Sequence, residues 1–194
     1  MKKKKVGILG GTFDPPHVGH LIMAQEALEQ CNLDKIWFMP SASPPHKKID
    51  GVSSGNARVK MVEKMIEKVE EFELSLIEFE REGPSFTVDT MKEMKMRHPD
   101  FEFFFIIGGD SVAALHTWER IEELIEIVTF IGIERPGHEF KNPYLDSIIA
   151  IETPLIGISS TMLRERFRQK KNTKYYVTEA VKDYIEVNRL YDEG

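Results

Sequence analysis

Two histidines three positions apart, His17 and His20, close the stretch Gly10-Gly11-Thr12-Phe13-Asp14-Pro15-Pro16-His17-Val18-Gly19-His20, which follows a short apolar run. Asp14-Pro15-Pro16 ends extended chain, and a helix is expected to start near Val18. That places His17 just before the first helical turn and His20 within it, beside the positive end of the helix dipole. Gly10-Gly11 adds backbone N–H groups with no side chain in front of them, a surface that an anion or a nucleotide can approach. Three readings compete: solvated surface histidines, two ligands of a zinc ion, or paired donors for a phosphate. Zinc asks for further ligands, and apart from Asp14 the neighbourhood offers none. Phosphate also accounts for the glycines, so it is preferred and no metal ligand is assigned. The glycines do not match a dinucleotide fingerprint or a P-loop.

A second anion site is expected at Ile158-Ser159-Ser160-Thr161-Met162-Leu163-Arg164. Capping explains one hydroxyl at a helix start; it does not ask for three, nor for an arginine in the first turn, where its charge opposes the dipole. A polyanion seated on the helix N-terminus would make sense of both.

These groups need elements to carry them. Apolar runs at 5–9, 35–39, 72–77, 101–107 and 127–133 read as strands, with short extended pieces at 148–151 and 155–158. Helical spacing appears from about 18 to 31 and at 58–69, 87–96, 111–115, 119–126, 160–169 and 178–188, while 41–56, rich in Pro, Ser and Gly, reads as a loop. Strands alternating with helices, in runs too apolar for a one-sided sheet, predict an α/β fold with a parallel sheet covered on both faces. Ligands on such sheets bind beyond the carboxyl ends of the strands. Gly10-Gly11, Pro40 to Lys47, Gly108 to Asp110 and Arg135-Pro136 each follow a strand, so all are expected on one rim.

Bulk properties narrow the classes. The chain has 194 residues, 41% of them apolar, enough for one domain with a substantial core. No apolar run approaches the ~20 residues of a membrane span. One cysteine, Cys31, excludes a disulfide framework, and a cytoplasmic protein is expected. With 26 basic and 32 acidic residues the net charge is −6, which implies no general affinity for nucleic acid or membrane. The cluster Arg164, Arg166, Arg168, Lys170 and Lys171 reads as a solvated face except where it converges with other groups. The stripe Val177, Val181, Tyr184 and Ile185 reads as core, with a subunit contact as its alternative, which leaves homo-oligomerisation open.

The H-x-G-H of His17 to His20, with I-S-S-T-x-x-R near the carboxyl end, resembles the adenylyl- and cytidylyltransferases of the nucleotidyltransferase superfamily. Within it, G-G-T-F-D-P-x-H-x-G-H is similar to the bacterial nicotinate-nucleotide adenylyltransferase family. So are Pro44-Pro45-His46-Lys47, Ser85-Phe86-Thr87-Val88-Asp89-Thr90, Gly109-Asp110 followed by Trp118, Glu134-Arg135-Pro136-Gly137, and the closing Tyr184-Ile185 with Leu190-Tyr191. The likeness runs along essentially the whole chain. Phe86 stands where the family commonly has Tyr, Thr178 where Pro is common, and Gly109 and Ser111 differ from the usual neighbours of Asp110.

The resemblance implies a Rossmann-like, doubly wound sheet over 1–158 and a small helical part over 159–194, forming one domain. It implies that ATP and nicotinate mononucleotide are joined to give deamido-NAD and pyrophosphate, with no covalent intermediate and with Mg²⁺ arriving on ATP. His17 and His20 would contact the ATP phosphates, His20 acting on the transition state. Gly10, Gly11, Thr12, Phe13, Gly109, Asp110, Arg135 and Ser159-Ser160-Thr161 would meet ATP, and Arg164 would hold the leaving pyrophosphate. His46 and Lys47 would meet the mononucleotide phosphate, Thr87 its carboxylate and Trp118 its ring. Each has a plainer alternative: a solvated loop lysine at Lys47, a helix N-cap at Asp110, a strand exit at Arg135, core packing at Trp118. A phosphopantetheine or nicotinamide-mononucleotide adenylyltransferase, and a nucleotide-binding module without catalysis, remain as rivals.

Overall fold

In a computed structural model of the chain, residues 3–42, 53–81, 86–134, 143–154 and 156–192 are described. Six strands form one sheet: β1 (Lys4–Gly11), β2 (Lys35–Pro40), β3 (Phe72–Leu74), β4 (Phe101–Gly108), β5 (Thr129–Glu134) and β6 (Ile148–Glu152). Their spatial order is β3-β2-β1-β4-β5-β6 and every pairing is parallel. This is the Rossmann-like order, in which the chain reverses its direction of travel between β1 and β4.

Alternation along the strands divides the interior in two. Leu9, Phe38, Ile106 and Ile131 face a core shared with α1 (Val18–Gln30), α2 (Gly55–Ile66), α6 (Ser160–Arg168) and α7 (Glu179–Val187). Ile8, Met39, Phe105 and Phe130 face the opposite core, completed by α3 (Thr87–Arg97), α4 (Gly109–Ala113) and α5 (Ile121–Ile125). Ala24 and Ala27, both fully buried, let α1 lie close on the sheet. Val177, Val181 and Ile185 are buried in the first core, so the closing stripe is core rather than exposed surface.

Several expectations are corrected. Strand β3 stops at Leu74 instead of reaching residue 77. The N–H of Ser75 donates to the carbonyl of Phe38 at 2.8 Å, and the chain then turns through a short 3-10 segment, Ile77–Glu80, which buries Ile77 in the second core. Helix α2 starts at Gly55, capped by the Ser54 hydroxyl, so it opens inside the stretch read as loop. The helix expected at 111–115 begins two residues earlier, with a 3-10 turn at Leu115–Thr117 behind it, and α5 is shorter than predicted. The piece at 148–151 is a full sixth strand, whereas residues 156–158 form no strand.

Candidate active site

The carboxyl ends of β1 and β4 lie side by side, and the segment from Gly10 to His20 leaves the sheet at that point. Gly10 and Gly11 are still strand, paired with Met39 and Pro40, rather than following the strand as the sequence suggests. A Cβ at Gly10 would stand 3.2 Å from the Phe105 ring, and one at Gly11 3.2 Å from the Phe13 ring. The glycine requirement therefore comes partly from the protein's own aromatic rings. Phe13 is 2% exposed and adopts φ 52, which L side chains rarely do; the bend turns its ring onto His20 at 4.9 Å and Phe38 at 5.9 Å. The Asp14–Pro15 peptide is cis.

His17 is the N-cap of α1 in extended conformation, and His20 stands three residues on. Their rings stack with centroids 3.7 Å apart. The His17 N–H donates to His20 Nδ1 at 3.1 Å, which leaves His20 Nε2 as the protonated nitrogen of the neutral ring, free to donate. Gly19 is small for a local reason: a Cβ there would sit 3.0 Å from His17 Nδ1. Burial lowers the His17 pKa to about 4. It also holds His20 well below the usual histidine range, helped by the neighbouring His17. Both rings are thus neutral donors at neutral pH, and the fixed positive charge has to come from elsewhere.

Arg164 supplies it. Its Nη1 donates to the carbonyl of Asp14 at 2.7 Å and its Nη2 to Thr161 Oγ1 at 3.2 Å. Arg164 lies in the second turn of α6, not the first; helical side chains lean toward the N-terminus, which is how its guanidinium reaches the helix start. The three hydroxyls divide the work. Ser159 caps α6 through Met162 N–H, Ser160 donates to the carbonyl of Pro15 at 2.9 Å, and Thr161 accepts from Arg164. Contacts spanning 145 and 150 residues therefore bind the start of α6 to the loop that presents the histidines.

Two cavities flank the histidine pair. The larger, about 450 Å³, is lined by Gly10, Thr12, His20, Glu78, Thr87 and Trp118. The smaller, about 350 Å³, is lined by His17, Gly19, Gly109, Gly157, Ile158 and Ser159. They meet at Met23 and Gly108. Thr87 opens α3, whose N-terminus therefore borders the larger cavity. Trp118 packs edge-on against Phe105 at 5.8 Å and Phe130 at 6.1 Å while keeping a surface on that cavity, so core packing and lining coexist in one residue.

Asp110 is not an N-cap: Gly108 holds that position in α4, and Asp110 is an exposed residue of its first turn. Arg166 is not a solvated charge; it donates to the carbonyl of Asn172 at 2.7 Å and lies 4.8 Å over the Tyr176 ring. Arg168 is exposed, paired loosely with Glu165. His46, Lys47 and Arg135 lie outside the described residues. Among the described residues no three His, Cys, Asp or Glu side chains gather as a cation cage.

Sequence reading missed a buried polar cluster beneath the site. Asp14, 1% exposed, accepts from Tyr191 Oη at 2.6 Å and from the Ser53 N–H at 3.1 Å. Arg58, 3% exposed, donates to the carbonyls of Thr12 at 2.9 Å, Ser53 at 3.3 Å and Ala42 at 3.4 Å. Glu78, whose pKa is raised by burial, accepts from the Ala42 N–H. One signal was available: Arg58 shares helical spacing with Met61, Val62, Met65 and Ile66, all buried, which places a cation on an apolar stripe.

A parallel sheet with two cavities at its switch point, a histidine pair between them and an arginine bonded to the loop that carries the pair, describes a nucleotide-handling α/β enzyme. Residues 8–166 match the cytidylyltransferase-like family. The chain is 47% identical over 189 residues to the nicotinate-nucleotide adenylyltransferase of Bacillus subtilis, covering 97% of this chain and 99% of that protein. It is 51% identical, with the same coverage, to a Bacillus cytotoxicus protein described as a probable nicotinate-nucleotide adenylyltransferase. Its fold is similar to that of Plasmodium falciparum nicotinic acid mononucleotide adenylyltransferase, with a TM-score of 0.80, 24% identity and 97% of each chain covered. The chain belongs to the cytidylyltransferase-like family and, within it, to the nicotinate-nucleotide adenylyltransferases.

Proposed function

We propose that this chain transfers the adenylyl group of ATP to the phosphate of nicotinate mononucleotide. A phosphate oxygen of the mononucleotide attacks the α-phosphorus of ATP; the bond to the bridging oxygen of the β-phosphate breaks, and pyrophosphate leaves with that electron pair. The products are deamido-NAD and pyrophosphate, and no covalent enzyme intermediate is involved. The observation that carries this reading is the stacked His17–His20 pair standing between two cavities, with Arg164 hydrogen-bonded to the same loop.

The larger cavity suits the mononucleotide. Trp118 offers a ring face for the pyridine, and Thr87 with the α3 N-terminus offers donors and a positive dipole end for its carboxylate. The smaller cavity, bordered by Gly109, Gly157 and the α6 start, suits ATP, with Asp110 beside it for the ribose. His17 and His20 then reach the phosphates between the two, His20 donating from Nε2 as charge develops, and Arg164 takes the pyrophosphate. His46, Lys47 and Arg135 would complete the anion-binding set. Mg²⁺ would arrive as a companion of the triphosphate, whose oxygens would supply ligands to it. The parts 1–158 and 159–194 act as one unit, because both supply phosphate-binding groups. No helix among the described residues is long and apolar enough to cross a membrane, and a cytoplasmic setting, where ATP is at hand, fits the reaction.

Pyrophosphate release from ATP, with the acid and amide mononucleotides compared side by side, tests the reading. We expect the acid to be used at least ~10-fold more efficiently, as a site built to pair a charged group discriminates against its neutral analogue. Equal or better use of the amide would overturn the assignment.

A further inference from the structure

The closing segment of the chain returns to the loop that carries the histidines. Tyr191 adopts φ 68, a backbone conformation that costs a tyrosine free energy, and packs its ring 5.8 Å from Phe167. In that pose its hydroxyl donates to Asp14 Oδ1 at 2.6 Å, across 177 residues of sequence. Asp14 is a buried carboxylate that needs such donors, and it finds only one other, the Ser53 N–H on Oδ2, among the described residues. The carbonyl of the same residue accepts from Arg164. Asp14 is therefore the junction at which the tail, the histidine loop and the site arginine meet, and Arg58 clamps the loop again two residues earlier through the carbonyl of Thr12.

We infer that Tyr191 is a positioning residue for adenylyl transfer: its hydroxyl fixes the Asp14 carboxylate, and through the Asp14 carbonyl it fixes Arg164 relative to His17 and His20. Tyr191 lines neither cavity beside the histidines, so its effect is transmitted, not direct. The inference rests on the adenylyl-transfer reading above.

The test is a mutant cycle in the pyrophosphate-release assay: wild type, Tyr191→Phe, Arg164→Ala and the double variant, each with a thermal melt to confirm folding. Phenylalanine keeps the ring and removes one oxygen. Tyr191→Phe is expected to lower kcat by ~10-fold or more, as small misplacements of site groups do, with KM for nicotinate mononucleotide within ~2-fold. In the Arg164→Ala background the same change should cost less than ~2-fold, because the group being positioned is gone. Undiminished kcat in Tyr191→Phe, or an equal loss with and without Arg164, overturns the inference. Should Tyr191→Phe fail to fold, Asp14→Asn is read by the same cycle and the same criteria. A wild-type protein that releases no pyrophosphate defeats the adenylyl-transfer reading itself, and this inference with it; a wild type that turns over leaves the cycle as the sole judge of Tyr191.

Discussion

The two imidazoles are neutral at neutral pH because burial makes their protonated forms costly, and that cost carries over to stability. A histidine in the unfolded chain titrates near 6.5, whereas His17 in the fold does so at about 4. Between those values the unfolded chain holds the proton and the folded chain does not. Stability is then complete above the unfolded pKa and falls as the pH drops from 6.5 toward 4. His17→Gln should flatten that decline. Thermal midpoints of the nucleotide-free protein, measured across that range, check it; an unchanged slope in the variant would place the acid sensitivity elsewhere. Bound polyphosphate reverses the local balance, since nearby negative charge favours the protonated ring. On the proposed reading, the imidazoles would gain positive character only when substrate arrives.

At the scale of elements, α1 and α6 are ordinary helices with unusual beginnings. Gly19 lies in the first turn of α1, where alanine is the better helix former by ~1 kcal/mol. The space argues the other way: an added Cβ would press on His17 Nδ1 at 3.0 Å. Gly19→Ala should therefore leave the thermal midpoint unchanged or raised while lowering turnover ~10-fold or more. Loss of both together would mean the glycine serves folding and not the histidine. In α6, the hydroxyl run expected to cradle phosphate serves three structural ends: a cap, a dock to Pro15 and a brace for Arg164. Those three ends explain why capping alone accounted for so little of the pattern.

For the whole molecule, the β3-β2-β1-β4-β5-β6 order brings the β1–α1 loop and the α4 start together at the switch point, and α6 crosses back to them from the far end of the chain. The space between is held by Arg58, a nearly inaccessible cation serving three carbonyls from separate segments, beside the carboxylates Asp14 and Glu78. Replacing it with leucine leaves those three carbonyls without their donor and removes the positive charge near Asp14 and Glu78. We expect Arg58→Leu to lose ~3–5 kcal/mol of unfolding free energy, since each buried acceptor left unsatisfied costs ~1–3 kcal/mol. Chemical denaturation measures this directly, and a loss below ~1 kcal/mol would show that water replaces the guanidinium without penalty.

Local regularity was legible from residues alone. The alternation of buried runs and helical stripes set the parallel α/β plan, and the positions of His17, His20 and Arg164 at element ends marked the rim where they meet. Those features rest on interactions between near neighbours in the chain, and such interactions leave a period or a motif. Tertiary structure alone decided that Gly10 and Gly11 remain strand, that β3 yields to a 3-10 turn, and that Asp14, Arg58, Glu78 and Tyr191 form one buried cluster. Four of their bonds link side chains to partners 36 to 177 residues away, three of those partners being backbone carbonyls or amides. A peptide group is the same at every position, so nothing in the residue types marks which one a distant side chain will find until packing has brought the two together.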